Sequence, residues 1–344
     1  MTPPALEETA RAIVARGKGI LAADETPHTL TTRLTDHGIE STPDSRRDYR
    51  EMFFTTPNLG AYIGGVIMQD ETIRQTSSTG TPLIQLLIGQ GVIPGIKVDG
   101  GARPMAGAPG ERVTEGLDGL RGRLEEYRGM GALFAKWRAV FTISSDGLPS
   151  GTCIHANADA LARYAALCQE QGLVPIVEPE VLMNGPHNIE RCADVTEHVL
   201  QSVFDALFDQ NVLLEGMLLK PNMVISGADC PRQASVQEVA TATVRTLLRH
   251  VPPAVPAIVF LSGGQDYRLA TEHLAAINQL ATMKPWTLSY SYGRALQDEA
   301  MAIWKGRREN VAAAQQAFHH RARCNSAAVL GSYRTDMESE AAPA

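Results

Sequence analysis

The chain has 344 residues, of which 44% are hydrophobic and 20% charged, with a formal net charge of −7. This composition gives a globular protein apolar content for a large core, and its negative balance favours neither nucleic acid nor an anionic membrane surface as a partner. Five scattered cysteines (Cys153, Cys168, Cys192, Cys230 and Cys324) form no C-x-x-C pair, and they read as reduced thiols rather than a disulfide framework or a zinc site.

The first residues, Met-Thr-Pro-Pro-Ala-Leu-Glu-Glu, lack the basic and apolar regions of a secretory signal, and no apolar run is long enough to span a bilayer. A cytoplasmic location is the expectation. Residues 5–16 place Leu6, Ala10, Ile13 and Val14 on one helical face and predict an amphipathic helix. Gly19 to Ala23 is a short apolar run that ends in Asp24-Glu25-Thr26, a first strand closing on polar groups. Residues 43–54 read as a capped helix.

The pattern then repeats. Apolar runs at 61–68, 92–98, 132–140, 173–177, 216–219, 257–261 and 286–292 read as strands. Helical patterns follow at 158–171, 189–210, 236–250, 268–279 and 295–304. Eight strands alternating with helices, without a second composition regime, predict an α/β fold. It is a single (βα)8 TIM barrel over 1–344, with an N-terminal helical extension and a mobile C-terminal tail at 331–344. Lys136, Glu178, Lys220 and Ser262 follow one another at intervals of 42 positions. Successive βα units of similar length give such a period, and it puts each polar residue at the C-terminal end of its strand, where barrels build their sites.

The organising stretch is Gly-Met-Leu-Leu-Lys-Pro-Asn (216–222). Taken alone, Lys220 reads first as a lysine that snorkels out of the sheet into water. The rest of the chain reverses this. Residues i and i+2 of a strand share a face, so Lys97/Asp99, Lys136/Arg138 and Glu178/Glu180 project in pairs toward the barrel mouth. Lys136 as a cation beside Lys220 disfavours a second ammonium there and favours the neutral amine, which is nucleophilic and forms a Schiff base with a carbonyl. Glu178 then shuttles protons, and Asp24 across the barrel takes a hydroxyl proton as a carbon–carbon bond breaks. The iminium serves as the electron sink, so neither a metal nor a cofactor is called for. The nine histidines fall mostly on helices and loops, and none sits at a predicted strand end. Glycine turns after strands seven (261–265) and eight (290–294), with Arg294, suit a phosphate. Arg33 and Thr29 beyond strand one, with Lys97, offer a second anion site.

Seven runs carry a resemblance. They are Gly-Lys-Gly-Ile-Leu-Ala-Ala-Asp-Glu (17–25), Gly-Ile-Lys-Val-Asp (95–99), Phe-Ala-Lys-Trp-Arg (134–138), Val-Pro-Ile-Val-Glu-Pro-Glu (174–180), Leu-Leu-Lys-Pro-Asn-Met-Val (218–224), Phe-Leu-Ser-Gly-Gly-Gln (260–265) and Ser-Tyr-Gly-Arg-Ala-Leu (291–296). In this order, from about residue 5 to about 335, the chain resembles class I fructose-bisphosphate aldolase. The resemblance implies metal-independent aldol cleavage of fructose 1,6-bisphosphate to dihydroxyacetone phosphate and glyceraldehyde 3-phosphate through a lysine Schiff base, and the reverse condensation, in glycolysis and gluconeogenesis. It implies Lys220 as the Schiff-base lysine, Glu178 as the main proton shuttle, and Lys136 and Asp24 as charged partners at the reacting carbons. Glu180 and Arg138 join them as candidates on the same strand faces.

The C1 phosphate would be held by Ser262, Gly263, Gly264, Ser291, Gly293 and Arg294, and the distal phosphate by Thr26, Thr29, Arg33 and Lys97. A homotetramer is implied by the resemblance alone. Where the family shows Ser-Thr-Gly-Ser after the Asp-Glu pair, this chain has Thr26-Pro27-His28-Thr29, and Pro27 is expected to stiffen a loop. The chain also ends in Ala344, where animal members end in a tyrosine. The alternatives are a lysine aldolase or transaldolase for another sugar phosphate and, as a different class, a non-catalytic barrel that binds partners.

Overall fold

The computed structural model describes residues 3–339. Eight strands form a closed parallel barrel: β1 (Gly19–Ala22), β2 (Ile63–Met68), β3 (Ile93–Lys97), β4 (Phe134–Phe141), β5 (Val174–Val181), β6 (Leu218–Leu219), β7 (Ala257–Phe260) and β8 (Thr287–Tyr292). Each pairs with its neighbours in sequence, and β8 closes on β1 through Ile20 opposite Ser291. β6 is short for a local reason. Pro221 follows Lys220 and has no N–H to continue the ladder, although the Lys220 amide still reaches Val177 O at 2.8 Å.

The strand positions match the sequence reading to within a few residues. Gly216 is an exception: it ends a 3₁₀ turn, Leu214–Gly216, instead of opening a strand. Helices stand at Pro43–Phe54, Ile189–Asp209, Val236–His250, Tyr267–Gln279 and Arg294–Trp304, close to the predicted bounds. The helix expected from 158 begins at Gly151, because the Ser150 side chain caps it by accepting from the Cys153 N–H. Helices at Asp70–Arg74, Leu83–Gly89, Leu120–Gly129 and Val311–Val329, and a two-stranded hairpin, Ala102–Pro104 with Arg112–Thr114, carried no sequence signal in our reading.

Two expectations are corrected. Pro27 does not stiffen a loop but occupies the first turn of a helix, Pro27–Asp36, capped by Thr26. The missing N–H and fixed φ of proline suit that position. The chain is also held beyond residue 331. Tyr333 is buried, residues 335–339 form a 3₁₀ turn, and Glu338 accepts hydrogen bonds from both Nη atoms of buried Arg321 and from the Tyr333 hydroxyl at 2.9 Å. Residues 340–344 of the expected tail lie outside the described residues.

The core divides into two clusters. One fills the layer between barrel and helices. The other lies inside the barrel and joins Leu6, Ala10, Ile13 and Val14 of the N-terminal segment to Ile20, Ile67, Phe134, Val174, Ile176, Leu218, Ala257 and Val259. The helix Pro3–Ile13 thus plugs the end at which the strands begin. The approach is close enough to require glycine at Gly64, where a Cβ would stand 2.0 Å from Ile13 O. Each large aliphatic side chain buried in this plug contributes roughly 1.5–3 kcal/mol.

Candidate active site

At the other end of the same strands the interior turns from apolar to charged. Along β5 the inward series runs Val174, Ile176, Glu178, Glu180; along β4 it runs Phe134, Lys136, Arg138. These residues meet residues beyond β1, β3, β6, β7 and β8 around a cavity of about 280 Å³. Its wall contains Asp24, Thr26, Thr29, Arg33, Lys97, Lys136, Arg138, Glu178, Glu180, Lys220, Ser262, Gly263, Ser291, Gly293 and Arg294. Of the residues expected from sequence, Gly264 is not in the wall. It stands just behind, at φ +95°, where a Cβ would press on Arg294 Nη2 at 3.2 Å.

The centre is a chain of ion pairs. Lys136 Nζ stands 2.7 Å from Asp24 Oδ2 and 3.0 Å from Glu178 Oε2; Lys220 Nζ stands 3.1 Å from Glu178 Oε1. The Glu178 Oε2 contact is an ion pair outside hydrogen-bonding geometry, so that oxygen is buried without a hydrogen-bond partner among the described residues. The sequence reading set the two lysines near each other without saying what lies between them. One carboxylate bridges them.

Burial opposes ionisation of Asp24, but the ammonium groups of Lys136 and Lys220 outweigh it and hold the carboxyl well below the usual range. Glu178 shows the same contest: burial raises its pKa, Lys136, Lys220 and Arg138 lower it further, and the net is downward. Burial likewise disfavours charge on Lys136, yet Asp24 and Glu178 raise its pKa well above that of a free lysine. All three are charged at neutral pH. Glu180 accepts from Arg138 Nε at 2.5 Å and so holds that guanidinium at the rim.

The β7–β8 side is prepared for an anion. The turn after β7 closes through Gln265 N–H to Ser262 O at 3.0 Å, and Gly263 takes φ +62°, a conformation glycine adopts without strain. Gln265 Nε2 donates to the same carbonyl at 3.0 Å, while its Oε1 stands 2.7 Å from His273 Nδ1. The Ser291 hydroxyl faces the pocket, buried and without a partner among the described residues. Arg294 opens the helix Arg294–Trp304 with its side chain exposed and makes no ion pair or hydrogen bond with another described residue. A helix N-terminus, a spare hydroxyl and a spare guanidinium suit a phosphate.

Sequence reasoning missed Glu25, which lines the wall and binds Arg33 and Arg50. The adjacent acids Asp24-Glu25 were visible at the end of the first strand, but only Asp24 was given a role. His320, Cys324 and Glu338, with ligand atoms within 4.8 Å of one another, form a His/Cys/carboxylate grouping that the sequence reading did not anticipate. None of the three is in the pocket wall, and the Glu338 oxygens already serve Arg321 and Tyr333. No helix among the described residues is long and apolar enough to cross a membrane.

A family model described as fructose-bisphosphate aldolase class-I matches residues 5–344. A probable fructose-bisphosphate aldolase class 1 of Xanthomonas campestris pv. campestris is 58% identical over 96% of this chain and 98% of its own. Fructose-bisphosphate aldolase B of Gallus gallus is 51% identical over 98% of this chain and 93% of its own. Among solved structures, fructose-bisphosphate aldolase from Plasmodium falciparum, crystallised with TRAP and a small-molecule inhibitor, superposes with a TM-score of 0.95 at 48% identity, covering 96% of this chain and 95% of that one. Fold and sequence agree across nearly the whole length, and the chain belongs to the class-I fructose-bisphosphate aldolase family.

Proposed function

We propose that this pocket cleaves fructose 1,6-bisphosphate between C3 and C4 and runs the reverse condensation, with Lys220 as the covalent nucleophile. The observation that carries the assignment is the position of Lys220 Nζ, 3.1 Å from Glu178 Oε1 at the buried end of the pocket. Lys220 must lose a proton before it can attack the C2 ketone, and Glu178, held as a carboxylate, is the acceptor in reach. Once Lys220 is neutral, Glu178 loses one of its cations and binds the proton more tightly. It then returns that proton to the carbinolamine hydroxyl, which leaves as water to give the iminium.

Asp24 is kept ionised by Lys136 and accepts the C4 hydroxyl proton. The C3–C4 electron pair moves into the iminium, the aldehyde departs, and the enamine that remains is protonated at C3 before water releases dihydroxyacetone phosphate. Lys136 carries its charge throughout and offsets the negative charge of both carboxylates. Glu180 acts on Arg138 rather than on the reacting carbons. The C1 phosphate is assigned to Ser262, Gly263, Ser291, Gly293 and Arg294, with Gly264 behind them. The distal phosphate is assigned to the Thr26, Thr29, Arg33 and Lys97 side.

The test is to incubate the protein with dihydroxyacetone phosphate, reduce with borohydride and locate the adduct by mass spectrometry. An adduct on Lys220 is expected. An adduct on another lysine, or none, overturns the assignment. We also propose that the chain works as one domain and as a homotetramer, on the strength of the family likeness, and in the cytosol, on the cytosolic forms named among the Arabidopsis thaliana relatives. Sedimentation of the purified protein tests the assembly, and fractionation of its source cells tests the location.

A further inference from the structure

The two phosphate ends of the pocket differ in what their cations already hold. At the β8 end Arg294 is uncommitted. At the β1 end Arg33 is engaged through three of its five N–H donors: Nη1 donates to Glu25 Oε1 and to Gln297 Oε1 (2.9 Å), and Nη2 donates once, to Asp298 Oδ1 (2.8 Å). Nη1 carries two hydrogens, and both are taken. The other oxygen of Glu25 accepts from Arg50 Nη1 at 2.6 Å, and Arg50 is fully buried. Lys97 Nζ is likewise committed, to Asp99 Oδ1 at 2.6 Å and to Asp99 O at 2.9 Å. Arg33 and Arg50 are thus matched by Glu25 and Asp298, and Lys97 by Asp99. Before substrate arrives, this end of the pocket is electrically neutral.

We propose that Glu25 is the internal anion of the distal phosphate site, holding the Arg33 fork in the empty pocket until the distal phosphate of a bisphosphorylated ketose displaces it. This rests on the reading of the pocket given under Proposed function. The exchange is chemically sound. A phosphate dianion carries more charge than a carboxylate and matches the same planar fork. Glu25 keeps a cation after the exchange, because Arg50 stays on its second oxygen. The cost of breaking the Arg33–Glu25 pair is subtracted from what the distal phosphate gains. The phosphate at C1 bears no such deduction, since Arg294 has no partner to release. Glu25 therefore sets how strongly the enzyme prefers a ketose bisphosphate over a ketose 1-phosphate.

The test compares kcat/KM for fructose 1,6-bisphosphate with that for fructose 1-phosphate. Glu25→Gln keeps an oxygen for Arg50 but weakens the hold on Arg33. It is expected to raise the ratio in favour of the bisphosphate by about tenfold, the scale of one charge-assisted contact. Asp298→Asn is the second variant. Its side chain is half exposed, at 50%, so neutralising it spares the fold. It is expected to move the ratio the same way, by roughly two- to threefold.

An unchanged ratio in Asp298→Asn overturns the proposal. So does a fall in either variant, which would mean that the carboxylates aim Arg33 at the phosphate instead of withholding it. If Glu25→Gln does not fold, Asp298→Asn alone decides. Borohydride trapping of wild-type protein with dihydroxyacetone phosphate is the control. That ligand carries only one phosphate, so its adduct on Lys220 reports the function of the pocket whatever the fate of the distal-site proposal.

Discussion

The lower and upper halves of the barrel are made from the same strands and do opposite work. Below, Phe134, Val174, Ile176 and Leu218 pack against Leu6 and Ile13 in a dry cluster. Above, two to four residues further along the same strand faces, stand Lys136, Arg138, Glu178, Glu180 and Lys220. Apolar burial below supplies stability. It also fixes where the charges above must stand, because a side chain on β5 cannot move without moving Val174 and Ile176. The charges above are costly to desolvate, and they are tolerated because each has a partner within about 3 Å. The two halves should therefore fail in different ways when altered.

The largest expected effect is in the upper half. Lys220→Ala removes the nucleophile and should lower kcat/KM for bisphosphate cleavage on the order of 10⁵-fold or more. Glu178 keeps Lys136 in this variant, so its urea midpoint should stay near that of the wild type. A Lys220→Ala protein that still cleaves substrate at a tenth of the normal rate would undo the division of labour.

The lower half should show the reverse. Ile13→Ala leaves a hole beneath the barrel and should cost about 2–5 kcal/mol in urea unfolding. The folded protein should retain kcat/KM within about twofold. Loss of activity without loss of stability would show that the plug reaches the chemistry.

His273 lies outside both halves and supports the upper one through Gln265. Burial pushes its pKa down to about 4, from 6.5 in the unfolded chain. The unfolded chain therefore binds the proton first as pH falls. The stability linked to this group is fully present above about pH 6.5 and is lost as pH falls to about 4, on the order of 3 kcal/mol in all. His273→Gln should flatten the slope of unfolding free energy against pH in that window. An unchanged slope would mean that other groups set it.

The smallest effect separates binding from chemistry within the upper half. Arg294→Ala should raise KM for the bisphosphate by an amount worth about 1.5–3 kcal/mol, with kcat much less affected and the urea midpoint unchanged. An unchanged KM would place the C1 phosphate away from the β7–β8 turns.

Much of the molecule was legible because strand-end chemistry leaves a linear trace. A polar residue closing an apolar run marks Asp24, and the same signal repeated at an even interval marks Lys136, Glu178, Lys220 and Ser262, all of which line the pocket. The helices that escaped notice have physical reasons. Val311–Val329 buries Arg321 and Asn325 on its packed face, so its apolar period is broken by polar residues whose partners are remote in sequence. In the segment 331–339 the composition alone reads as a tail. Glu338 is held there by Arg321, 17 positions earlier, and no local pattern encodes that pairing.

The sequence by itself determined the barrel, its strand order and the residues that would gather at the mouth, because strand alternation and a regular βα length act locally and repeat. Only the tertiary structure decided how those charges are shared. It set Glu178 between Lys136 and Lys220, gave Arg33 to Glu25 and Asp298, and left Arg294 without a partner. Ion pairing depends on distances of a few ångströms between residues up to 265 positions apart. Those distances exist only once the barrel has closed.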